Sequence, residues 1–270
     1  NMKHNINRLN IFNERIYYDS ELKYLVSGYD QNILNIKENT IIEGIFQSEK
    51  YFFDDLEKIK RYISFKDKRN FNKFIGDDVC ILNIRGGEYK RHKNFILSKS
   101  YWEMGMENIK KINNIKNFKI VTDDRRYAKA LFPNFEIISE SIEECYSTIF
   151  NCKNIIVSNS SFSYFPCKTG KRKNVIAPKF WARPLNKKNR WISPANIYKD
   201  WLWQDLEGNL SSYEECKKIS EQTEKYYNNT FTILINKKTL PSNGLFNFLP
   251  RKIKIKIKKI LSYIFPTEIG

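Results

Sequence analysis

The sequence predicts an α/β fold built on a doubly wound parallel β-sheet. Four short apolar runs between residues 77 and 159 lack polar alternation, which is typical of strands buried on both faces. Segments with helical periodicity separate these runs, and this alternation favours parallel pairing of the strands. With 41% hydrophobic residues, the 270-residue chain can bury a substantial core, so wholesale disorder is excluded.

The first predicted elements are a short strand and an amphipathic helix within residues 38–65. Asp54 or Asp55 would cap or charge the first turn of this helix. Apolar residues recur at helical spacing from this point: Leu56, Ile59 and Ile63.

Four strands and three helices then follow, with a polar helix nearer the C-terminus. The strands are predicted at 77–85, 117–124, 135–139 and 153–159. The helices are predicted at 98–112, 125–132, 141–152 and 212–230. Ser141 with Glu144 three positions on is close to a capping box and marks where the third helix begins.

Polar residues follow three of the strands as "NIRGGEYK", "TDD" and "SNSSFS". Parallel sheets bind ligands beyond the carboxyl ends of their strands, so these groups are expected to face a cleft. Arg85 offers a permanently charged fork for phosphate oxygens, and Gly86 and Gly87 allow close approach of the backbone. The alternative is an ordinary glycine turn with surface charges. Neither GxxxxGK[ST] nor GxGxxG occurs here.

The segment after the fourth strand is rich in hydroxyl and amide groups. Its polar members are Ser158, Asn159, Ser160, Ser161 and Ser163, placed around Phe162. If a helix begins here, its free amides and these hydroxyls form an anion site. The alternative is an N-cap followed by an ordinary helix. Asp123 and Asp124 would likewise either grip the ribose or base of a nucleotide or cap the next helix.

Five motifs in order resemble glycosyltransferase family 11, the bacterial α-1,2-fucosyltransferases, within the wider α-1,2/α-1,6/O-fucosyltransferase superfamily. "EGIFQSEKYF" is similar to that family's GYFQSEKYF, and "ILNIRGGEY" stands where the family has VHIRRGDY. "IVTDD" resembles its FSDD, "NCKNIIVSNSSFSYF" its CKHNIIANSSFSWW, and "NVIAPKFW" its VIAPKxW. The resemblance spans residues 8–182.

The resemblance implies a GT-B fold, in which two Rossmann-like domains enclose a nucleotide sugar. The implied donor is GDP-fucose. Its fucose is transferred to a glycan acceptor with inversion at the anomeric carbon, and no metal or other cofactor takes part. The resemblance implies that Arg85 holds the β-phosphate and is catalytic. Acceptor activation needs a base, and we expect Glu88 to supply it or to position Arg85. The residues implied to bind the nucleotide sugar are Asn83, Arg85, Gly87, Asp123, Asp124, Asn159, Ser160, Ser161, Phe162 and Ser163.

The sequence departs from the family pattern in places that bear on activity. The family's His, second Arg and Asp are here Asn83, Gly86 and Glu88. The family's first GGLGNQ loop is absent, and an Asn precedes the first Met, so we expect the N-terminal part to be incomplete. We therefore expect three regions. They are a remnant of the acceptor-side domain at 1–74, a Rossmann-like nucleotide-sugar domain at 75–205 and a C-terminal extension at 206–270.

The formal charge of +17 is concentrated in two patches, which predicts anionic partners. Nine Lys or Arg and no acid lie within 168–190, and six lie within 251–259. The stretch 248–265 is basic and amphipathic as a helix, although its Ile/Lys alternation also fits a strand. It predicts contact with an anionic membrane surface, and the alternative is a terminal helix that packs on the body. No recognised nucleic-acid motif occurs, so nucleic acid is not an expected partner.

The five cysteines include no CxxC pair, which predicts reduced, partly buried thiols in a cytoplasmic protein. His4 and His92 have no cysteines at zinc-ligand spacing, and no apolar run approaches 18 residues. Peripheral attachment to the inner membrane face is therefore the expected membrane contact. Two other functions stay open. One is a non-catalytic relative that binds a nucleotide sugar or glycan, and the other is nucleic-acid binding prompted by the charge.

Overall fold

A computed structural model describes most of the chain between residues 10 and 234. The described residues are 10–19, 24–44, 46, 48–51, 56–66, 68–91, 95–171, 173–181, 188–192, 196–230 and 233–234. The predicted helix caps at Asp54 and Asp55 and the basic stretch 248–265 lie outside these ranges.

The N-terminal region forms two small sheets and two short helices. The strands are β1 (Asn10–Asn13), β2 (Arg15–Asp19), β3 (Tyr24–Ser27) and β4 (Thr40–Glu43), and the helices are α1 (Leu56–Tyr62) and α2 (Lys68–Phe71). β1 pairs with β4 in parallel, and β2 pairs antiparallel with β3. The predicted strand and helix in this region correspond to β4 and α1, whereas β1 to β3 were not predicted.

The central sheet contains seven strands, six of them parallel. They are β5 (Val79–Ile84), β6 (Asn117–Thr122), β7 (Glu136–Ile138), β8 (Asn154–Val157), β9 (Asn174–Pro178), β10 (Trp201–Gln204) and β11 (Leu210–Ser211). β11 is antiparallel to β10 at one edge. The predicted parallel sheet is confirmed, because β5 to β8 occupy the four predicted apolar runs.

Five helices cover the two faces of this sheet. They are α3 (Lys99–Ile112), α4 (Arg125–Leu131), α5 (Ile142–Asn151), α6 (Ser161–Thr169) and α7 (Tyr213–Thr230). One core contains residues of α3 and α4, and the other contains residues of α5, α6 and α7. Helices on both faces agree with the doubly wound prediction.

Short 3-10 helices and one further strand complete the described elements. The 3-10 helices are Gln31–Asn35, Glu49–Tyr51, Gly87–Arg91 and Lys179–Trp181. Strand β12 (Ile233–Leu234) pairs with β2, so the end of the described chain returns to the N-terminal region. Tyr227 of α7 also stacks on Tyr17 of β2, with 5.7 Å between the ring centroids.

Local sequence explains where the central elements begin. Every residue of β5 is buried, as expected for an apolar run inside a parallel sheet. Ser98 accepts a hydrogen bond from the Tyr101 amide and caps α3, and Ser141 caps α5 through the Glu144 amide. The predicted role of Ser141 at the start of its helix is therefore confirmed.

The strand order places a crevice between β5 and β8. In space the parallel strands lie in the order β7-β6-β5-β8-β9-β10, which is the order of a Rossmann-like sheet. The chain proceeds outward from β5 to β7, and then restarts beside β5 at β8. Ligands bind at such a reversal, outside the carboxyl ends of the strands. The loops after β5 and β8 therefore flank the expected binding crevice.

At the opposite end of the sheet, where the parallel strands begin, the elements are joined by Asn154, which is 2% exposed. Its side-chain amide donates to the Asp77 carbonyl at 2.8 Å. Its Oδ1 accepts from Asn113 Nδ2 at 3.1 Å and from Asn174 Nδ2 at 2.9 Å. One buried side chain thus joins the amino ends of β8 and β9, the residue two positions before β5 and the end of α3.

All five cysteines are free thiols and all are buried. The sequence predicted thiols that are partly buried, and the structure buries all five. In the part of the chain that the structure describes, no helix has the length and apolar character needed to cross a membrane.

Candidate active site

A cleft of about 340 Å³ opens at the carboxyl ends of β5, β6 and β7. Asn83 and Arg85 line it from β5, and Thr122 and Asp123 line it from β6. Phe162 of α6 forms part of its wall. Five polar and aromatic residues therefore meet at the carboxyl ends of the strands, although up to 79 positions separate them in sequence.

Arg85 is the cation of this cleft, and its side chain is 23% exposed. Its Nη1 lies 3.0 Å from Asp123 Oδ2, and its Nη2 lies 3.8 Å from Glu88 Oε1. Its Nε is buried and has no hydrogen-bond partner among the described residues. A buried guanidinium N–H without a partner is costly, so it is a natural donor to a ligand oxygen.

The two glycines after Arg85 allow the β5 and β6 loops to touch. The Gly86 amide donates to Asp123 Oδ1 at 2.9 Å. A Cβ at position 87 would lie 2.5 Å from Asp123 Oδ2, and a Cβ at position 86 would lie 2.7 Å from Asp124 Cβ. These positions therefore need glycine because of close packing, and neither glycine has a positive φ.

Asp124 has the capping role that was one of its two predicted alternatives. It is the N-cap of α4, and its Oδ1 accepts from the Tyr127 amide at 2.9 Å. Its Oδ2 forms an ion pair with Lys90. The hydrogen bonds from Lys90 and from the Tyr127 amide lower the pKa of the Asp124 carboxyl below its ordinary value. Asp123, by contrast, faces the cleft.

Asn83 lies at the base of the cleft and is 1% exposed. Its Nδ2 makes a long hydrogen bond of 3.5 Å to the Val121 carbonyl. Its Oδ1 is buried and has no partner in the described part of the chain. The side chain can therefore accept a hydrogen bond from a hydroxyl or N–H group of a ligand.

The loop after β8 lies on the other side of the crevice. The Ser158 amide continues the ladder by donating to the Asn83 carbonyl at 3.2 Å. Ser158 Oγ and Asn159 Oδ1 are both buried, and neither has a partner within the described ranges. Asn159 Nδ2 donates to the Trp181 carbonyl at 3.1 Å, which fixes the loop after β8 to the loop after β9.

The segment of serines after β8 is a helix start, which both of its predicted alternatives required. Ser160 caps α6 by accepting from the Phe162 amide at 3.3 Å, and Ser163 Oγ donates to the Ser160 carbonyl at 2.9 Å. Ser161 is the first helical residue and is exposed. Phe162 lines the cleft, whereas the buried hydroxyls of Ser160 and Ser163 serve the local backbone.

Sequence reasoning missed the loop after β7 as part of the site. Ser139, Glu140 and Ser141 all line the cleft, and they follow a strand that was predicted. The signal was available, because this loop has the same position relative to its strand as the three polar loops that were identified. Arg125 fixes the loop by donating to Ser139 Oγ at 3.1 Å and to Glu140 Oε1 at 2.9 Å.

No protein-family model matches the chain, and a search of curated proteins found no match.

The cleft lining combines one cation, Arg85, with the carboxylates of Asp123 and Glu140 and with a buried amide. Arg85 supplies one permanent cation, and Asn83 supplies a buried acceptor beside it. Val121, Ile142 and Phe162 give the cleft an apolar wall. Pockets with an apolar lining and a few fixed polar groups are typical of small-molecule sites. Among the described residues, no three His, Cys, Asp or Glu side chains cluster as metal ligands would.

Proposed function

We propose that this chain is a glycosyltransferase of the family 11 type that uses GDP-fucose or a related nucleotide sugar. The supporting observation is the position of Arg85. It lies at the reversal of strand order, lines the cleft and has a buried Nε without a partner in the described chain. A guanidinium in this position suits the diphosphate of a nucleotide bound at the switch point.

The proposed fold is GT-B, with the central sheet as the donor domain. The N-terminal sheets would belong to the acceptor side, and α7 and β12 contact them through Tyr17 and β2. The acceptor is a glycan of surface-polysaccharide synthesis. The stretch 248–265 would hold the enzyme at an anionic membrane surface.

The transfer step breaks the bond between C1 of the sugar and the β-phosphate oxygen, whose electron pair leaves with GDP. An acceptor hydroxyl oxygen attacks C1 from the opposite face, and its proton passes to a base. Arg85 stabilises the negative charge that develops on the departing diphosphate. No metal is required by this scheme, because the cation is supplied by the side chain.

Glu88 is proposed to position Arg85. Its side chain is 73% exposed, and its carboxylate lies 3.8 Å from Arg85 Nη2. A carboxylate at this distance attracts the guanidinium and restricts its orientation. We therefore favour this role over that of the general base, the other role expected from the sequence.

Calorimetric titration of the purified chain with GDP tests this proposal, with UDP, CDP and GMP as comparisons. We expect selective GDP binding, lost in Arg85→Ala and unchanged in Arg61→Ala, which removes an exposed arginine of α1. Selective binding of UDP would support a glycosyltransferase but would reject GDP-fucose as its donor. Binding to no nucleotide, or equal loss in both variants, would reject the proposal.

A second candidate is a non-catalytic protein that binds a nucleotide sugar. It is favoured by the engagement of the carboxylates around the cleft: Asp123 with Arg85 and the Gly86 amide, and Glu140 with Arg125 and the Ser139 amide. Release of GDP from GDP-fucose in the presence of a glycan acceptor separates the two functions. Release with formation of a glycoside supports transfer, whereas GDP binding without release supports the binding protein.

A further inference from the structure

Tyr89 connects the two loops that flank the crevice. It lies in the 3-10 helix Gly87–Arg91, after β5, and is half-buried. Its hydroxyl donates to the Asn159 carbonyl, which belongs to the loop after β8, at 3.2 Å. These two loops come from strands that are adjacent in the sheet but separated by about seventy residues of chain.

The same side chain covers one face of the Arg85 guanidinium. The Arg85 Cζ lies 5.4 Å from the centroid of the Tyr89 ring. The Tyr89 ring also packs against Phe95, with 5.3 Å between the two centroids and an angle of 35° between the ring planes. A planar guanidinium stacks on such a ring, so the ring restricts the orientations that the fork can adopt.

Three contacts therefore define the position of Arg85. Asp123 holds Nη1, Glu88 lies near Nη2 and Tyr89 covers the face, whereas the buried Nε has no hydrogen-bond partner among the described residues. Asn159, bonded to Tyr89 through its carbonyl, is itself fixed by its bond to the Trp181 carbonyl. Tyr89 thus ties the cation to the loops after β8 and β9.

We propose that Tyr89 is a positioning residue, which orients Arg85 toward the ligand phosphate and fixes its distance from the loop after β8. This inference rests on the proposed function in one respect: the ligand that Arg85 meets is a nucleotide diphosphate. Tyr89 makes no contact with the ligand in this proposal. Its contribution passes through the guanidinium and through the Asn159 backbone.

The first experiment measures GDP affinity in a double-mutant cycle between positions 85 and 89. Tyr89→Leu removes ring and hydroxyl, and we expect affinity to fall about tenfold. Tyr89→Phe keeps the ring, and a loss of about twofold is expected. In the Arg85→Lys background, which lacks the planar fork, Tyr89→Leu should cost less than about twofold. An equal loss in both backgrounds would overturn the proposal, because it would indicate a general structural effect.

The second experiment needs no ligand. In isotope-labelled protein, the Nε–H resonance of Arg85 is identified by its disappearance in Arg85→Lys. We expect Tyr89→Leu to increase its exchange with water and move it toward the position of exposed arginines. Tyr62→Leu, at a side chain that is 78% exposed on α1, should leave it unchanged. An unaltered Arg85 signal in Tyr89→Leu would reject the positioning role even if GDP binds.

The two experiments separate the two proposals. If no nucleotide binds to the wild-type chain, the proposed function fails, and the Arg85 resonance still decides whether Tyr89 orients the guanidinium. If GDP binds and depends on Arg85 but not on Tyr89, only the inference about Tyr89 fails.

Discussion

Arg85 Nη1 lies 3.0 Å from Asp123 Oδ2, so the cation of the cleft is paired with a carboxylate from the neighbouring strand. Asp123 also accepts from the Gly86 amide through its other oxygen. An anionic ligand must therefore bind beside a negative charge that already occupies part of the guanidinium.

Asp123→Asn is expected to raise the affinity for inorganic pyrophosphate. The substitution removes the negative charge and keeps an oxygen for the Gly86 amide. Coulomb attraction at such separations predicts a gain of about fivefold at low ionic strength, which salt reduces. Titration of both proteins with pyrophosphate at two salt concentrations measures the effect. Lower affinity of the variant at both would contradict an anion site at Arg85.

Gly87→Ala is expected to weaken GDP binding about tenfold, because a small displacement of a fixed group is costly in a site of this kind. The added methyl would lie 2.5 Å from Asp123 Oδ2 and would displace that carboxylate. Gly28→Ala is the matched control, since its methyl would meet no atom closer than 3.9 Å. Isothermal titration compares the two variants, and equal affinities would argue against coupling of the two loops.

Asn154→Ala is expected to destabilise the protein without changing its ligand binding. It removes three hydrogen bonds of a buried side chain, so the free energy of unfolding should fall by about 3 kcal/mol. Asn134→Ala, at an exposed position, should have no measurable effect. Urea denaturation provides the free energies. A change in the GDP affinity of Asn154→Ala would show that packing at the amino ends of the strands affects binding at their carboxyl ends.

Asp124 should contribute to the decrease in the free energy of unfolding at acid pH. The bond from Lys90 lowers the pKa of its carboxyl, so its contribution is complete above the ordinary pKa of 3.8 and disappears as the pH falls through the lower folded value. The stability difference between wild type and Asp124→Ala should therefore shrink below about pH 4. Denaturation between about pH 2 and pH 6 tests this. A constant difference over this range would indicate that the carboxyl charge has no role.

The cysteines should be inert toward a thiol reagent in the native protein. Burial raises the pKa of the Cys145 and Cys152 thiols to about 11, and it raises the pKa of Cys80, Cys167 and Cys216 as well. A chromogenic disulfide at pH 8 should label all five thiols only after denaturation. Cys145 lines the cleft and should be the first to react as denaturant is added, at a higher denaturant concentration when GDP is present. Rapid native labelling of several thiols would contradict this packing.

Strands β5 to β8 of the central sheet could be predicted because they are largely apolar runs, whereas β10 and β11 were not predicted. The run of Val79–Ile84 and the cap at Ser98 are local signals that need no tertiary information. Strands β1 to β3 carry Asn, Arg, Tyr and Asp among their apolar residues, so they gave no such signal. Their pairing depends on contacts that are distant in sequence, such as that of β2 with β12.

The site could be predicted only as a set of loops. Sequence indicated that the loops of Arg85, Asp123 and Phe162 face a cleft, but not which of their side chains line it. Asp124 and Ser160 each had two predicted roles, and each has the cap role in the structure, because its side chain accepts a hydrogen bond from a backbone amide. Tyr89 ends the quoted motif "ILNIRGGEY", but its role could not be predicted, because its contact reaches a loop seventy residues away.

The cleft and Asn154 lie at opposite ends of the parallel strands, which makes the protein suitable for a reporter insertion. Pro133 and Asn134 are both exposed and lie between α4 and the amino end of β7, at the same end of the sheet as Asn154. Strands of three to six residues separate this end from the cleft by about 10–20 Å. A fluorescent domain inserted there would move with the scaffold, so its signal would follow the integrity of the sheet while the cleft stayed open to its ligand.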